Sequence, residues 1–251
     1  MLCHGRKSMM LCAVFFFTIG LGQARSDTIA VRVAASADDG EENVISGAME
    51  ALDSSDLELG LERVPDDGEG IQIAGMRFLG VNVPAGSTIN SAAIQFTVDE
   101  NDKGPAAANF GILGQLSPNP VAFTNADGDI TDRPSASNAV AWINVPSWTG
   151  QVGMAGPDQR TPDISAIVQE IIDQPGWVAG NAMAFGVVPI DAAGDIDPTS
   201  QANRTAESFD GVPTSAPLLE IDFTPIPEPS TVILAAFGFV ALLYCGRRRV
   251  K

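Results

Sequence analysis

The stretch that decides the fold is IQIAGMRFLGVNVPAGSTINSAAIQFTVDE, Ile71–Glu100. Its second half alternates strictly: Ile94, Phe96 and Val98 lie on one side, Gln95, Thr97 and Asp99 on the other. That period of two is a strand with one face on a core and one in water. In the first half Ile71 and Ile73 share a face, then Met76 and Phe78 take over. Gly75 lies between them, and the change of phase predicts a bulge there. Between the halves, VPAGST supplies a Pro/Gly turn.

The same alternation recurs outward in both directions. Ile29, Val31 and Val33 precede it, as do Leu57, Leu59 and Leu61 with Glu58, Gly60 and Glu62 between them. Leu219, Ile221 and Phe223 follow, and NFGILG and MAFGVVPI add two more strands. Short strands separated by Gly, Pro, Asn and Asp predict an all-β, two-sheet antiparallel sandwich of jelly-roll type. One segment departs from the pattern. In TPDISAIVQEIIDQPGW, Ile164, Ile167, Val168 and Ile171 have helical spacing. Thr161 as cap, Pro162 at the first position and Asp163 on the dipole predict one short helix over 162–173. Gln174-Pro175-Gly176 ends it. Its apolar stripe is expected to plug one end of the sandwich.

The two ends of the chain are of another kind. Arg6 and Lys7 precede an apolar run, Met10–Leu21, and then the small residues of GQARS. This is the layout of a secretory signal peptide, residues 1–26, with cleavage expected after Ser26 or, alternatively, after Ala24. The sandwich domain then occupies 27–224 and a distinct tail 225–251. In the tail, Ser230–Gly246 is almost wholly apolar and 17 residues long, the lower edge of a transmembrane segment. Arg247, Arg248, Arg249 and Lys251 follow. Clustered positive charge stays cytoplasmic, which sends the body outside.

The order Pro227-Glu228-Pro229, apolar run, arginine cluster resembles the PEP-CTERM sorting tail of Gram-negative bacteria. The resemblance implies processing by an exosortase near the PEP motif, with transient residence in the inner membrane. It also implies delivery to the cell surface or extracellular matrix, in association with exopolysaccharide. The body carries a second resemblance. GMRFLGVNVPAGSTINSAAIQFTVDE, then TPDISAIVQEIIDQPGW, NAMAFGV, RTAESFDG and APLLEIDF, stand in the order of the extracellular DNRLRE-type jelly-roll modules, although the hexapeptide that names them is absent. That resemblance implies a carbohydrate-binding-like sandwich, sometimes attached to enzymes but rarely one itself.

Composition narrows the chemistry. Residues 27–224 hold 7 basic and 30 acidic side chains, a net charge of −23. Nucleic acid and anionic membrane surfaces both require a basic face, so neither is a partner of this body. Such acidity suits solubility and divalent cations. The body contains no cysteine and no histidine. It is therefore exported without disulfides, and Ser-His and Cys-His nucleophiles and ordinary zinc sites are excluded. A carboxylate-pair glycoside hydrolase or a lyase remains as the rival to a non-catalytic role.

Two sets of residues are candidates for binding. NADGDITD places Asn125, Asp127, Asp129 and Asp132 in one turn, as in the first half of a calcium loop, but Ile130 stands where such a loop has glycine. DAAGDIDP, with Asp191, Asp195 and Asp197, and Glu207 with Asp210 are further options for calcium. The competing reading of these loops is an exposed turn capped by its own carboxylates. Trp148 and Trp177 follow Pro-Ser and Pro-Gly and would offer faces for a sugar if exposed; the competing reading is that they plug the core. Trp142, within AVAWINV, is expected in the core.

Overall fold

A computed structural model describes residues 25–62, 70–101, 104, 107–226 and 237–238. The apolar run of the signal peptide, the PEP tripeptide and Arg247–Arg249 lie outside the described residues. Among the described residues no helix is long and apolar enough to cross a membrane.

Among the described residues of the body, ten strands and one α-helix follow in order: β1 Asp27–Arg32, β2 Asp39–Asn43, β3 Asp56–Glu62, β4 Gly70–Phe78, β5 Thr88–Gln95, β6 Ala107–Gly114, β7 Val140–Pro146, α1 Ser165–Ile172, β8 Met183–Pro189, β9 Asn203–Glu207 and β10 Leu218–Thr224. They form two antiparallel sheets. The smaller runs β1-β10-β5, and the larger β7-β6-β8-β4-β3-β9, with β2 also on β4. The alternating residues read from the sequence supply the core between them: Leu57, Leu59, Ile94, Phe96, Val98, Leu219 and Ile221 are all buried. The all-β sandwich predicted from the alternation is the observed fold.

β4 corrects one expectation. No bulge occurs at Gly75, which pairs in unbroken register with Gly40 of β2 and Gly186 of β8. The alternation is regular, and the strand is buried on both faces. Ala74, Met76 and Phe78 belong to the main core, whereas Ile73 joins Phe123, Ile130, Ala184 and Val188 in a second cluster. The segment around 121–135 covers this second face. A Cβ at position 75 would lie 2.8 Å from Ile130 Cδ1 and 3.0 Å from Phe123 Cζ. Glycine stands there because another segment presses on it.

The helix also starts later than its sequence signals. Thr161 does not cap it; its Oγ1 accepts the Ile94 amide at 2.9 Å. Residues 159–164 instead run along β5, with Thr161 N–H donating to Ile94 O and Ile164 N–H to Ala92 O. Edge pairing with β5 thus overrides the capping signal. Asp163 still serves the helix start, because Oδ1 accepts the Ser165 amide at 3.0 Å. As expected, Ile164, Ile167, Val168 and Ile171 are buried in the core, joined by Ile172, and Ile167 lies over Gly114 of β6.

Candidate functional site: a carboxylate cluster where the sheet forks

The aromatic candidates are inside. Trp148 is fully buried and Trp177 nearly so. Trp148 sits 6.4 Å from Phe96 and 6.3 Å from Trp142, ring centre to ring centre, and its indole N–H donates to Asp158 O at 3.1 Å. The Trp177 indole donates to Val83 O at 3.0 Å. Burial removes both rings from solvent, so neither offers a face on which a sugar could stack. Both plug the core, and Trp142 lies there as expected, stacked on Phe96.

The NADGDITD loop is satisfied internally. Asp129 Oδ2 accepts the Thr124 amide at 2.6 Å and Arg133 Nη2 at 3.2 Å. Arg133 also donates to Gln115 Oε1 at 3.0 Å, Val121 O at 2.9 Å and Ala122 O at 3.1 Å. Its guanidinium stands 4.5 Å over the Phe123 ring. Buried Glu42 of β2 holds the loop from beneath, accepting from the Ile130 and Thr131 amides. Asn125, Asp127 and Asp132 are exposed, and the structure does not gather them with Asp129 into a cation-sized cage. Asp191 and Asp197 cap their own turns, accepting the Ala193 amide at 2.8 Å and the Thr199 amide at 2.9 Å.

A different set of carboxylates converges. β4 shares one edge between two strands: Gly70 and Ile71 pair with β3, and Gln72–Met76 pair with β2. β3 then leaves to pair with β9, so the sheet forks. On its other side β2 is met by residues 48–50, with Glu50 N–H donating to Glu41 O at 2.8 Å and Met49 bridging Glu42. Glu41 and Glu50 are therefore cross-strand neighbours, where like charges repel. Glu41 reaches across the fork and accepts the Glu58 amide, which strand pairing leaves open. One carboxylate oxygen from each of Glu41, Glu50 and Glu58 lies within 4.8 Å of the other two, and Asp56, Glu58 and Glu100 form a second such triad.

The electrostatics follow from this crowding. Burial pushes the Glu41 carboxyl well above its ordinary value, and the negative charges of Glu58 and Glu50 add to the effect. Glu58 is pushed up to about 8, by burial and then by Asp56, Glu62 and Glu50. The two carboxyls are within hydrogen-bonding reach of each other. Such an approach requires either a shared proton or a cation between them. Glu41 Oε2 is buried and receives no hydrogen bond from any N–H or hydroxyl.

Next to the fork, β9 places Glu207 opposite Asp56. Glu207 is raised to about 7, by burial and then by Asp99, with which it shares a hydrogen bond. Asp99 is raised too, by burial and then by Asp56. Of these groups the sequence context points to Glu207 alone, beside Asp210. Asp210 instead accepts the Ser36 hydroxyl at 2.9 Å.

Residues 225–249 match the PEP-CTERM protein-sorting motif. The motif implies export, processing by an exosortase and sorting to the cell surface of a Gram-negative bacterium. It covers Pro227, Glu228, Pro229 and Arg247–Arg249, in agreement with the resemblance read from the tail. No curated protein matches the chain.

Proposed function

We propose that this is a non-catalytic surface or matrix protein, whose jelly-roll-like body associates with exopolysaccharide once the sorting tail has delivered it. The observation that carries this reading is the PEP-CTERM motif at 225–249, on a chain that opens with the layout of a signal peptide. On this reading the tail spans the inner membrane only until the exosortase acts. The order of motifs shared with DNRLRE-type modules supports a glycan-associated sandwich. So does the lack of histidine and cysteine in the body, which leaves few nucleophile-base pairs.

The rival reading is a carbohydrate-active enzyme, and the pair Asp99 and Glu207 favours it most, because Glu207 is held at about 7. Yet the two carboxyls share a hydrogen bond. Glycosidase pairs stand about 5–9.5 Å apart to admit substrate or water. The spacing therefore speaks against this pair as a glycosidase pair. The test is fractionation of producing cells followed by incubation with the isolated matrix polysaccharide. Retention on that polysaccharide without release of sugar is the expected result. Release of sugar that Glu207→Gln abolishes would establish the enzyme instead, and absence of any retention would leave a purely structural protein.

A further inference from the structure

We propose that Glu41, Glu50 and Glu58 bind a calcium-class divalent cation at the fork of the larger sheet, stapling β2, the 48–50 segment and β3 together. The proposal goes beyond the glycan-associated role and does not depend on it. Three observations carry it. The first is convergence: three carboxylates from three segments each place an oxygen within 4.8 Å of the others. Two ligands on one calcium ion cannot be farther apart than about 5 Å, twice the bond length. The second is Glu41 itself. It is 1% exposed, and its Oε2 lacks any N–H or O–H donor while facing two further carboxylates. A buried carboxylate in that state is costly unless a proton or a cation compensates it. The third is position: Glu50 and Glu58 are only half-buried, so the cluster lies near the surface and not deep in the core.

The donor set selects the metal. All three ligands are hard oxygens, and the body has no histidine or cysteine for zinc or copper. Calcium tolerates irregular cages of six to eight oxygens, whereas magnesium demands a near-ideal octahedron and keeps its waters. The ion would also replace what the body lacks, since a chain exported without disulfides has no covalent staple between these segments.

The experiment uses the full chain in mild detergent, washed with chelator and titrated with calcium chloride. Binding is read by calorimetry and by the melting temperature. One calcium per chain and a raised melting temperature are expected, with magnesium at least tenfold weaker. Glu41→Gln and Glu50→Gln should each weaken calcium at least tenfold, and Asp129→Asn should leave it unchanged. Glu50 lies in the loop connection, so that variant reports on the site even if the Glu41 variant folds poorly. Absence of both binding heat and a shifted melt with wild-type protein would overturn the proposal. So would undiminished binding in both glutamate variants, or loss of binding in Asp129→Asn, which would move the ion to the other loop.

Discussion

The loop at 121–133 and the fork at Glu41, Glu50 and Glu58 are both crowded with carboxylates, and they have opposite fates. In the loop every structural demand is met by protein. Asp129 has an amide and a guanidinium, and Glu42 has two amides and a hydroxyl. In the fork the neighbours of a carboxylate are other carboxylates, and a buried oxygen receives no donor. The density of acids in the sequence therefore says little about where a cation could act. What separates the two regions, among the described residues, is that the loop's Asp129 meets an amide and a guanidinium, whereas Glu41 Oε2 in the fork receives no donor.

The comparison can be broken most forcefully at Arg133. Arg133→Ala removes its hydrogen bonds to Gln115, Val121 and Ala122 and its stacking on Phe123, and leaves Asp129 without its cation. A loss of about 3 kcal/mol in urea unfolding is expected, since removing one partner of a largely buried pair strands the other. Calcium should not restore it. An Arg133 variant rescued by calcium would show that the loop is a cation site after all.

At the fork the sign is reversed. With chelator present, Glu41→Gln should stabilise the protein by about 1 kcal/mol. The amide keeps an acceptor for the Glu58 N–H and, unlike the carboxyl, needs neither a proton nor a cation to be buried beside two acids. Equilibrium unfolding in chelator measures this, and a destabilised variant would mean that the carboxylate already has a partner in the protein.

The pair beside the fork sharpens the contrast through pH. Glu207 is held at about 7, above its ordinary value near 4.3. Between those limits the folded protein keeps a proton that the unfolded chain releases. Stability should therefore fall as pH rises from about 4 to about 7. Asp56 and Glu100 carry the charges facing this pair, and both are acidic. Glu207→Gln should flatten that slope in thermal melts with chelator. A slope unchanged by the substitution would assign the proton elsewhere.

The sandwich was legible in the sequence because its strands alternate over a single core. Where a strand is covered twice, the reading slipped. β4 looked bulged at Gly75 because its two faces feed two different clusters, which a period-two pattern cannot distinguish from a change of phase. The helix start slipped for a similar reason, since pairing of residues 159–164 with β5 is a tertiary demand. The fork was hidden altogether. Glu58 alternates with Leu57 and Leu59 as a water-facing residue should, and only the return of β2 and residues 48–50 brings Glu41 and Glu50 to it. Glu41 and Glu50 carry no motif spacing; what brings them together is the branching of one strand's edge.

The smallest expected effect comes from Asp127, one of the four residues of NADGDITD that suggest calcium in the sequence. It is exposed, while its neighbour Gly128 donates its amide to Gly47 O at 2.7 Å and supplies the positive φ that the turn requires. The loop is thus shaped by backbone and by Arg133, with no contribution from the Asp127 carboxylate. Asp127→Asn should change unfolding free energy by less than about 0.5 kcal/mol, as is usual for an exposed position away from caps and ion pairs. It should also leave the calcium dependence of the melting temperature as it is in the wild type. A lost calcium response in this variant alone would reverse the assignment of the two regions, since an exposed carboxylate without structural duties has little way to matter except through a bound ion.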